Sequence, residues 1–287
     1  MTRRVLSYLF SRLPQSWVRW AGRLRNRVPF FGPVARWLAR DVLATQGVIR
    51  HGIGAGLQFD ARLGSCGYLF GTAEPDEQAA LGRFLKPGDV CYDLGANIGF
   101  FATLAARLVG AGGRVYAFEP NPECAAQVRR NAELNGFAQV EVIEAAVSST
   151  SGRARLHLGN TNLSSTIVDT APGAGIDVAM TSLDDFIRSQ SARGPTLVMI
   201  DVEGAEIEVL RGMRETVLRH RPVIMCEVHW INDAFFSYCA EHLAPVGYTV
   251  RPLAGGEFPA EPSRFHALLL PGPPPEPGLP VGGGGKD

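Results

Sequence analysis

Between Val90 and Leu270 the chain alternates short apolar runs with amphipathic stretches. Val90–Leu94, Arg114–Phe118, Val140–Ile143, Thr196–Ile200 and Val223–Val228 are compact apolar runs bounded by turn residues, which predicts buried strands. Phe100–Val109, Pro122–Leu134, Leu183–Arg188, Ala205–Leu218 and Ala234–Leu243 repeat apolar residues at helical spacing. Strand and helix in strict alternation predict a parallel-core sheet with helices on both faces. Tyr248–Arg251 and Phe265–Leu270 are expected to close it as an antiparallel pair. The stretch 153–181 breaks the rhythm. There Arg153–Leu158 and Asp177–Thr181 read as an inserted strand pair around a polar loop, Asn160-Thr-Asn-Leu-Ser-Ser-Thr166.

Before Val90 the pattern changes. Residues 76–86 are helical. In 47–72 glycines recur between short apolar stretches, which predicts hairpins of short strands, and Gly52-Ile-Gly-Ala-Gly56 reads as turn glycines because no strand-then-helix frame surrounds it. Residues 1–50 carry apolar residues at steps of three and four, broken by Pro14, Pro29 and Pro33. This divides the chain into a basic helical extension (1–46), one α/β domain with N-terminal hairpins (47–270) and a Pro/Gly tail (271–287) expected to be disordered.

Charge sharpens the division. The chain is neutral overall, 28 basic against 28 acidic residues, so bulk charge gives no reason to expect a nucleic-acid partner. Residues 1–50 hold ten arginines and only Asp41, which leaves 18 bases against 27 acids in the rest, a net of −9. A basic amphipathic extension bearing Trp17 and Trp20 fits a lid or packing helix, with peripheral contact to an anionic membrane as the alternative. Oligomeric state is not legible. The five cysteines are scattered without metal-ligand spacing, and no apolar run reaches the ~18–20 residues of a membrane span. A cytoplasmic protein with reduced thiols is the expectation.

The chemistry concentrates at strand ends. Asp93-Leu-Gly-Ala-Asn-Ile-Gly99 lies where a strand passes into a helix, the place where doubly wound sheets bind ligands. Gly95 permits a tight turn and a close approach, and Gly99 close helix packing. The G-x-x-x-G spacing is not the G-x-G-x-x-G of a pyrophosphate site, which points to a nucleoside without phosphates. Glu119 ends the next strand, placed to accept both hydroxyls of a ribose, with Pro120 and Asn121 in the same turn. Ala145 and Ala146, after the third strand, could border an adenine. The cofactor set is therefore Asp93, Gly95, Ala96, Asn97, Gly99, Glu119, Pro120, Asn121, Ala145 and Ala146. A nicotinamide oxidoreductase shares the ribose-binding acid and competes with this reading. A non-catalytic nucleoside-binding module is the third possibility.

These segments together resemble the FkbM family of methyltransferases. The resemblance runs from about Gly47 to Leu270. It rests on Lys86-Pro-Gly-Asp-Val, the loop 93–101, Val115-Tyr-Ala-Phe-Glu-Pro-Asn-Pro122, Asn131-Ala-Glu-Leu-Asn-Gly136, Ala146-Val-Ser148, Thr181-Ser-Leu-Asp-Asp185 and Ile200-Asp-Val-Glu-Gly-Ala-Glu206. It implies a Rossmann-like class I methyltransferase: α/β, seven strands mostly parallel, an antiparallel C-terminal pair. It also implies S-adenosylmethionine as methyl donor and a hydroxyl of a sugar, glycan or secondary metabolite as acceptor, with no particular acceptor fixed.

Such a transfer needs a group that takes a proton from the acceptor. Asp201 and Glu203 alternate after one central strand, and Glu227 and His229 alternate at the end of the next, so all four could reach one cleft. Asp201, Glu203 and His229 are the candidate catalytic residues. If the four converge, their hard oxygens could hold a divalent metal, although no ligand spacing calls for one independently. Glu206 reads as charge compensation at a helix start. His51, His157, His220, His242 and His266 read as isolated.

Overall fold

A computed structural model of the chain describes residues 46–64, 66–158, 165–167, 175–259, 261 and 263–273. The basic extension up to residue 45, most of the polar loop 160–166 and the tail from 274 lie outside the described residues.

The sheet core is a set of strands buried on both faces. β3 (Val90–Leu94) is buried at every position, as are β10 (Leu197–Ile200) and most of β4 (Arg114–Phe118) and β11 (Val223–His229). Continuous apolar runs suit strands covered by helices above and below. Seven strands pair in the order β12-β13-β11-β10-β3-β4-β5, with β5 at Val140–Ile143, β12 at Tyr248–Pro252 and β13 at Arg264–Pro271. β3, β4, β5, β10 and β11 run parallel, and β13 is antiparallel to both β11 and β12. The expected antiparallel closing pair is present. The order reverses between β3 and β10, so the ends of β3, β4, β10 and β11 open onto one rim.

Helices follow the strands. α1 (Cys66–Phe70) and α2 (Pro75–Phe84) precede β3. α3 (Phe100–Val109) and α4 (Pro122–Leu134) follow β3 and β4. α4 starts cleanly because Pro122 sits in its first turn and the Asn121 side chain accepts from Glu123 N at 3.0 Å. Farther along the same helix, Asn131 and Asn135 grip the N-terminal hairpin. Asn131 Oδ1 accepts from Asp60 N at 2.7 Å while its amide donates to Ile98 O at 2.8 Å. Asn135 bonds both backbone groups of Gln58. The hairpin is thereby tied to the loop between β3 and α3.

Four expectations are corrected. The glycine-rich stretch 47–72 forms one hairpin, β1 (Gln46–Val48) with β2 (Gln58–Asp60), and then turns into α1. Its Gly52–Gly56 segment is a turn. The helical reading of 1–50 thus overran into β1. The insertion is more than a strand pair: β6 (Ala145–Val147), β7 (Gly152–Leu158), β8 (Ser165–Ile167) and β9 (Ile176–Thr181) form a second sheet in the order β6-β9-β7-β8. The single helix expected at 205–218 is two, α6 (Glu206–Arg211) and α7 (Arg214–His220). Gly212 separates them. A Cβ there would meet Ser148 O at 2.0 Å, and its carbonyl accepts from Asp184 N. Asp184, in α5 (Leu183–Gln190), then caps α7 by accepting from Glu215 N and Thr216 N at 2.9 and 2.8 Å. The last helix, α8 (Asn232–Tyr238), runs into a π-helical turn at Cys239–Leu243.

Among the described residues no helix is long and apolar enough to cross a membrane.

Candidate functional site

Two clefts open on the rim where the parallel strands end. One holds about 630 Å³ of empty space and is bordered by Glu119, Pro120, Ala145, Ala146, Leu156 and Val202. The other, of about 640 Å³, is bordered by Tyr68, Glu74, Glu77, Phe101, Glu227 and His266. Gly95, Asn97 and Asp201 border both. A group passing from one cleft to the other passes them.

The loop after β3 is built for this junction. Gly95 N and Ala96 N both donate to Phe118 O, pinning the turn across the end of β4. Gly95 has φ 92°, and a Cβ there would lie 1.9 Å from Asp201 O. The glycine therefore lets two strand ends meet, a reason not visible in the sequence. Gly99 (φ 81°) starts α3 against Val128 of α4, leaving no room for a Cβ. Asn97, also left-handed at φ 51°, donates its N–H to Glu119 Oε2 at 2.8 Å.

Glu119 is 6% exposed and accepts a second backbone N–H from Asn121. Burial, only partly offset by these two bonds, pushes its carboxyl up to about 7. Burial does the same to Asp93, also to about 7. Each oxygen of Glu119 keeps lone-pair capacity for further donors. Asn97 Oδ1 and Asp93 Oδ2 are buried and have no hydrogen-bond partner. A carboxylate at the second strand end, an unpartnered acceptor on the loop and the apolar walls of Leu156, Val147 and Phe118 fit an adenosyl ligand. Of the residues read as cofactor-binding, Gly95, Asn97, Glu119, Pro120, Ala145 and Ala146 border this cleft. Asp93 and Ala96 border the other. Gly99 and Asn121 border neither; they start α3 and α4.

The four candidate residues after β10 and at the end of β11 do converge. His229 Nε2 lies 3.8 Å from Asp201 Oδ1, 3.5 Å from Glu203 Oε2 and 3.8 Å from Glu227 Oε1. Strand alternation does not bring Glu203 there. The chain leaves β10 in a turn with Glu203 at φ 53° and Gly204 at φ 105°. His229 is only 4% exposed, whereas the Asp201 side chain is 48% exposed at the junction. Asp201 therefore meets the clefts directly, and His229 stands behind it. Dehydration by the surrounding walls and then the Glu227 charge raise the Asp201 carboxyl well above the usual carboxylate range. Burial opposes a charge on His229, but its bond to Glu206 and the nearby carboxylates outweigh burial and raise it.

Three residues missed in the sequence complete the second cleft. His266, read as isolated, bonds Glu77 Oε1 at 2.9 Å and faces Glu227 Oε2 at 3.5 Å. Burial opposes its charge, but the bonds to Glu227 and Glu77 prevail and push it up to about 10. Glu227 is held below its usual value: His266, Arg264 and His229 outweigh its burial. Glu74 starts α2 at φ 44° and is raised by burial and by Glu77. No local pattern links residues 74, 77 and 266; only the fold does. Glu206, read as compensating a helix start, does accept from Gly204 N at 2.9 Å, yet it is fully buried and also holds His229 Nδ1 at 2.6 Å. Trp230, beside His229, is 63% exposed with φ 56°.

Residues 93–248 match the methyltransferase FkbM domain family. The chain is 30% identical to 31-O-demethyl-FK506 methyltransferase FkbM of Streptomyces tacrolimicus, over 52% of this chain and 69% of that one. It is 29% identical to hexuronic acid methyltransferase AglP of Haloferax volcanii, over 49% of this chain and 56% of that one. It is 28% identical to 2-O-methyltransferase NoeI of Sinorhizobium fredii, over 47% and 62%. The matched part thus spans between about half and about two thirds of these relatives. These likenesses favour methyl transfer over the nicotinamide oxidoreductase.

Proposed function

The chain belongs to the FkbM family of S-adenosylmethionine-dependent methyltransferases, and from that premise we propose that it methylates a hydroxyl oxygen of a sugar, glycan or related small metabolite. The observation that supports this reading is the pair of clefts meeting at Gly95, Asn97 and Asp201. Glu119 and the apolar wall suit the donor. The other cleft, rich in carboxylates and bordered by His266, suits a hydroxyl-rich acceptor. The relatives named for hexuronic acid and 2-O methylation are consistent with it.

The donor supplies an electrophilic methyl on a positively charged sulfur. An acceptor oxygen forms the new C–O bond while the C–S pair returns to sulfur, so the hydroxyl proton must leave. Asp201 is the proton acceptor in this proposal. It borders both clefts with a half-exposed carboxylate that an acceptor hydroxyl can reach. Glu227, on the wall of the second cleft, anchors acceptor hydroxyls, while Glu203 borders the donor cleft beside Asp201. His229 is buried behind them and acts by positioning. Glu119 holds the donor's ribose, and Gly95 keeps the donor loop against the Asp201 backbone so that the two reacting groups stay in register.

The test is methyl transfer from labelled S-adenosylmethionine to a panel of neutral sugars, uronic acids and polyketide alcohols, read by mass spectrometry. Hydroxyl-methylated product is expected from at least one class. Binding of NAD without binding of S-adenosylhomocysteine would overturn the reading.

A further inference from the structure

His229 presents a bare ring nitrogen to a ring of carboxylates. Glu206 Oε1 accepts from Gly204 N and lies 2.6 Å from His229 Nδ1; with Nδ1 donating to it, Nε2 holds a proton in the charged ring and a lone pair in the neutral one, the form that a cation would bind. Nε2 is buried and has no hydrogen-bond partner. Its neighbours are Asp201 Oδ1 at 3.8 Å, Glu203 Oε2 at 3.5 Å and Glu227 Oε1 at 3.8 Å. These gaps are too long for hydrogen bonds. They leave room for an ion between the atoms: neighbouring ligands of a small divalent cation stand about 3 Å apart and opposite ones about 4.2 Å, a range that spans these gaps. One atom each from Asp201, Glu227 and His229 lies within 4.8 Å of the others. Histidines that bind metals usually give their other ring N–H to a carboxylate, which is the role Glu206 plays here. The neighbouring cluster of Glu74, Glu77 and His266 differs, because His266 Nε2 is already satisfied by Glu77.

We propose that Asp201, Glu227 and His229 form a divalent-cation site at the meeting point of the two clefts, with Glu206 orienting the imidazole and Glu203 beside the open position. Two carboxylates and one imidazole suit Mn²⁺ or Mg²⁺. Arg264 also pairs with Glu227, but a carboxylate oxygen has two lone pairs and can serve both. In methyl transfer the cation binds the acceptor oxygen and makes its proton easier to lose, while the second oxygen of Asp201 takes that proton. This step rests on the methyl-transfer reading; the ion site does not.

The full chain, stripped with EDTA, is titrated with Mn²⁺ with and without S-adenosylhomocysteine, and free Mn²⁺ is followed by electron paramagnetic resonance. One saturable site is expected, displaced by Mg²⁺. Asp201→Asn and Glu227→Gln should weaken it at least about tenfold, and Glu206→Gln by about 10–100-fold. His229→Gln, a change at a buried position, is judged only beside Asp201→Asn, whose half-exposed side chain keeps the fold out of question. Absence of saturable binding in the folded wild type, or equal affinity in Asp201→Asn and Glu227→Gln, overturns the site and leaves a proton on His229 as the occupant of the gap. Failure of S-adenosylhomocysteine to bind, measured by calorimetry, would instead remove the methyl-transfer reading and leave the Mn²⁺ result standing.

Discussion

Gly95 shows how one residue can serve two strands. At φ 92° and 1.9 Å from Asp201 O, it tolerates no side chain. Gly95→Ala is expected to lose about 3 kcal/mol of stability in urea unfolding, the upper end of ordinary single substitutions, because it combines backbone strain with a backbone clash. A loss below about 1 kcal/mol would mean the two strand ends can part freely. Asp201→Asn removes the proposed base and should cut kcat by about 10²–10⁴-fold, with S-adenosylhomocysteine affinity changed much less. Equal losses in both would make Asp201 a donor-binding residue. Trp230 is exposed next to His229 at a backbone angle that a bulky residue seldom adopts, which makes it a residue to test for acceptor contact although it lines neither cleft. Trp230→Ala should raise the KM for acceptor and leave donor binding alone, as steady-state kinetics and calorimetry can show.

At the scale of elements, legibility followed the range of the contacts. β3, α3, β4, α4 and β5 start and stop where the sequence placed them, because each carries its own apolar period and its own punctuation, such as Pro122 at the head of α4. The break between α6 and α7 was not readable, since the cap is Asp184, about thirty residues upstream in another helix. β6 was missed for a different reason. Ala-Ala-Val is too short for a period and becomes a strand only by pairing with β9. The site divides the same way. Glu119 and the loop 93–99 lie in one local unit and could be read together; Glu74 and Glu77, at the start of α2, meet His266 of β13 only in the fold, so no local pattern brings the three together. Asp184→Ala should cost about 1–2 kcal/mol by uncapping α7, measured as a lowered urea midpoint with unchanged slope. Asn131→Ala leaves Asp60 N and Ile98 O without their partner and should both destabilise the fold and weaken S-adenosylhomocysteine binding. Unchanged binding would show that the hairpin does not steady the donor loop.

For the whole molecule, the shifted groups predict how stability varies with pH. Asp93 and Glu119 titrate near 7 in the folded chain against 3.8 and 4.5 when unfolded, so the folded state binds more protons between those values and loses stability as pH rises through them. His266, raised from 6.5 to about 10, stabilises fully below 6.5 and loses that contribution on the way to 10. Asp60 acts in the other sense. Burial would raise it, but Arg62 and Arg130 hold it at about 2, and its contribution is lost only in strong acid. The ligand-free chain should thus be most stable near pH 4–5 and weaken steadily towards pH 9, as urea unfolding across pH would show. A flat or rising profile would contradict the burial of Asp93 and Glu119. S-adenosylhomocysteine, whose ribose donors favour the charged Glu119, should release protons on binding near pH 7, visible as a buffer-dependent calorimetric heat.

The joint between Gly95 and Asp201 also bears on how such a chain can diversify. Glu119 and the glycine loop, proposed to hold the donor, come from one unbroken stretch of sequence, whereas the walls of the second cleft are contributed by Tyr68, Glu77, Phe101, Glu227, Leu253 and His266, scattered along the chain. Substitutions at Tyr68 or Leu253 would reshape that second cleft without touching the contact between Gly95 and Asp201. New substrate preferences can then accumulate in small, independent steps, each tested against a reaction centre that stays the same.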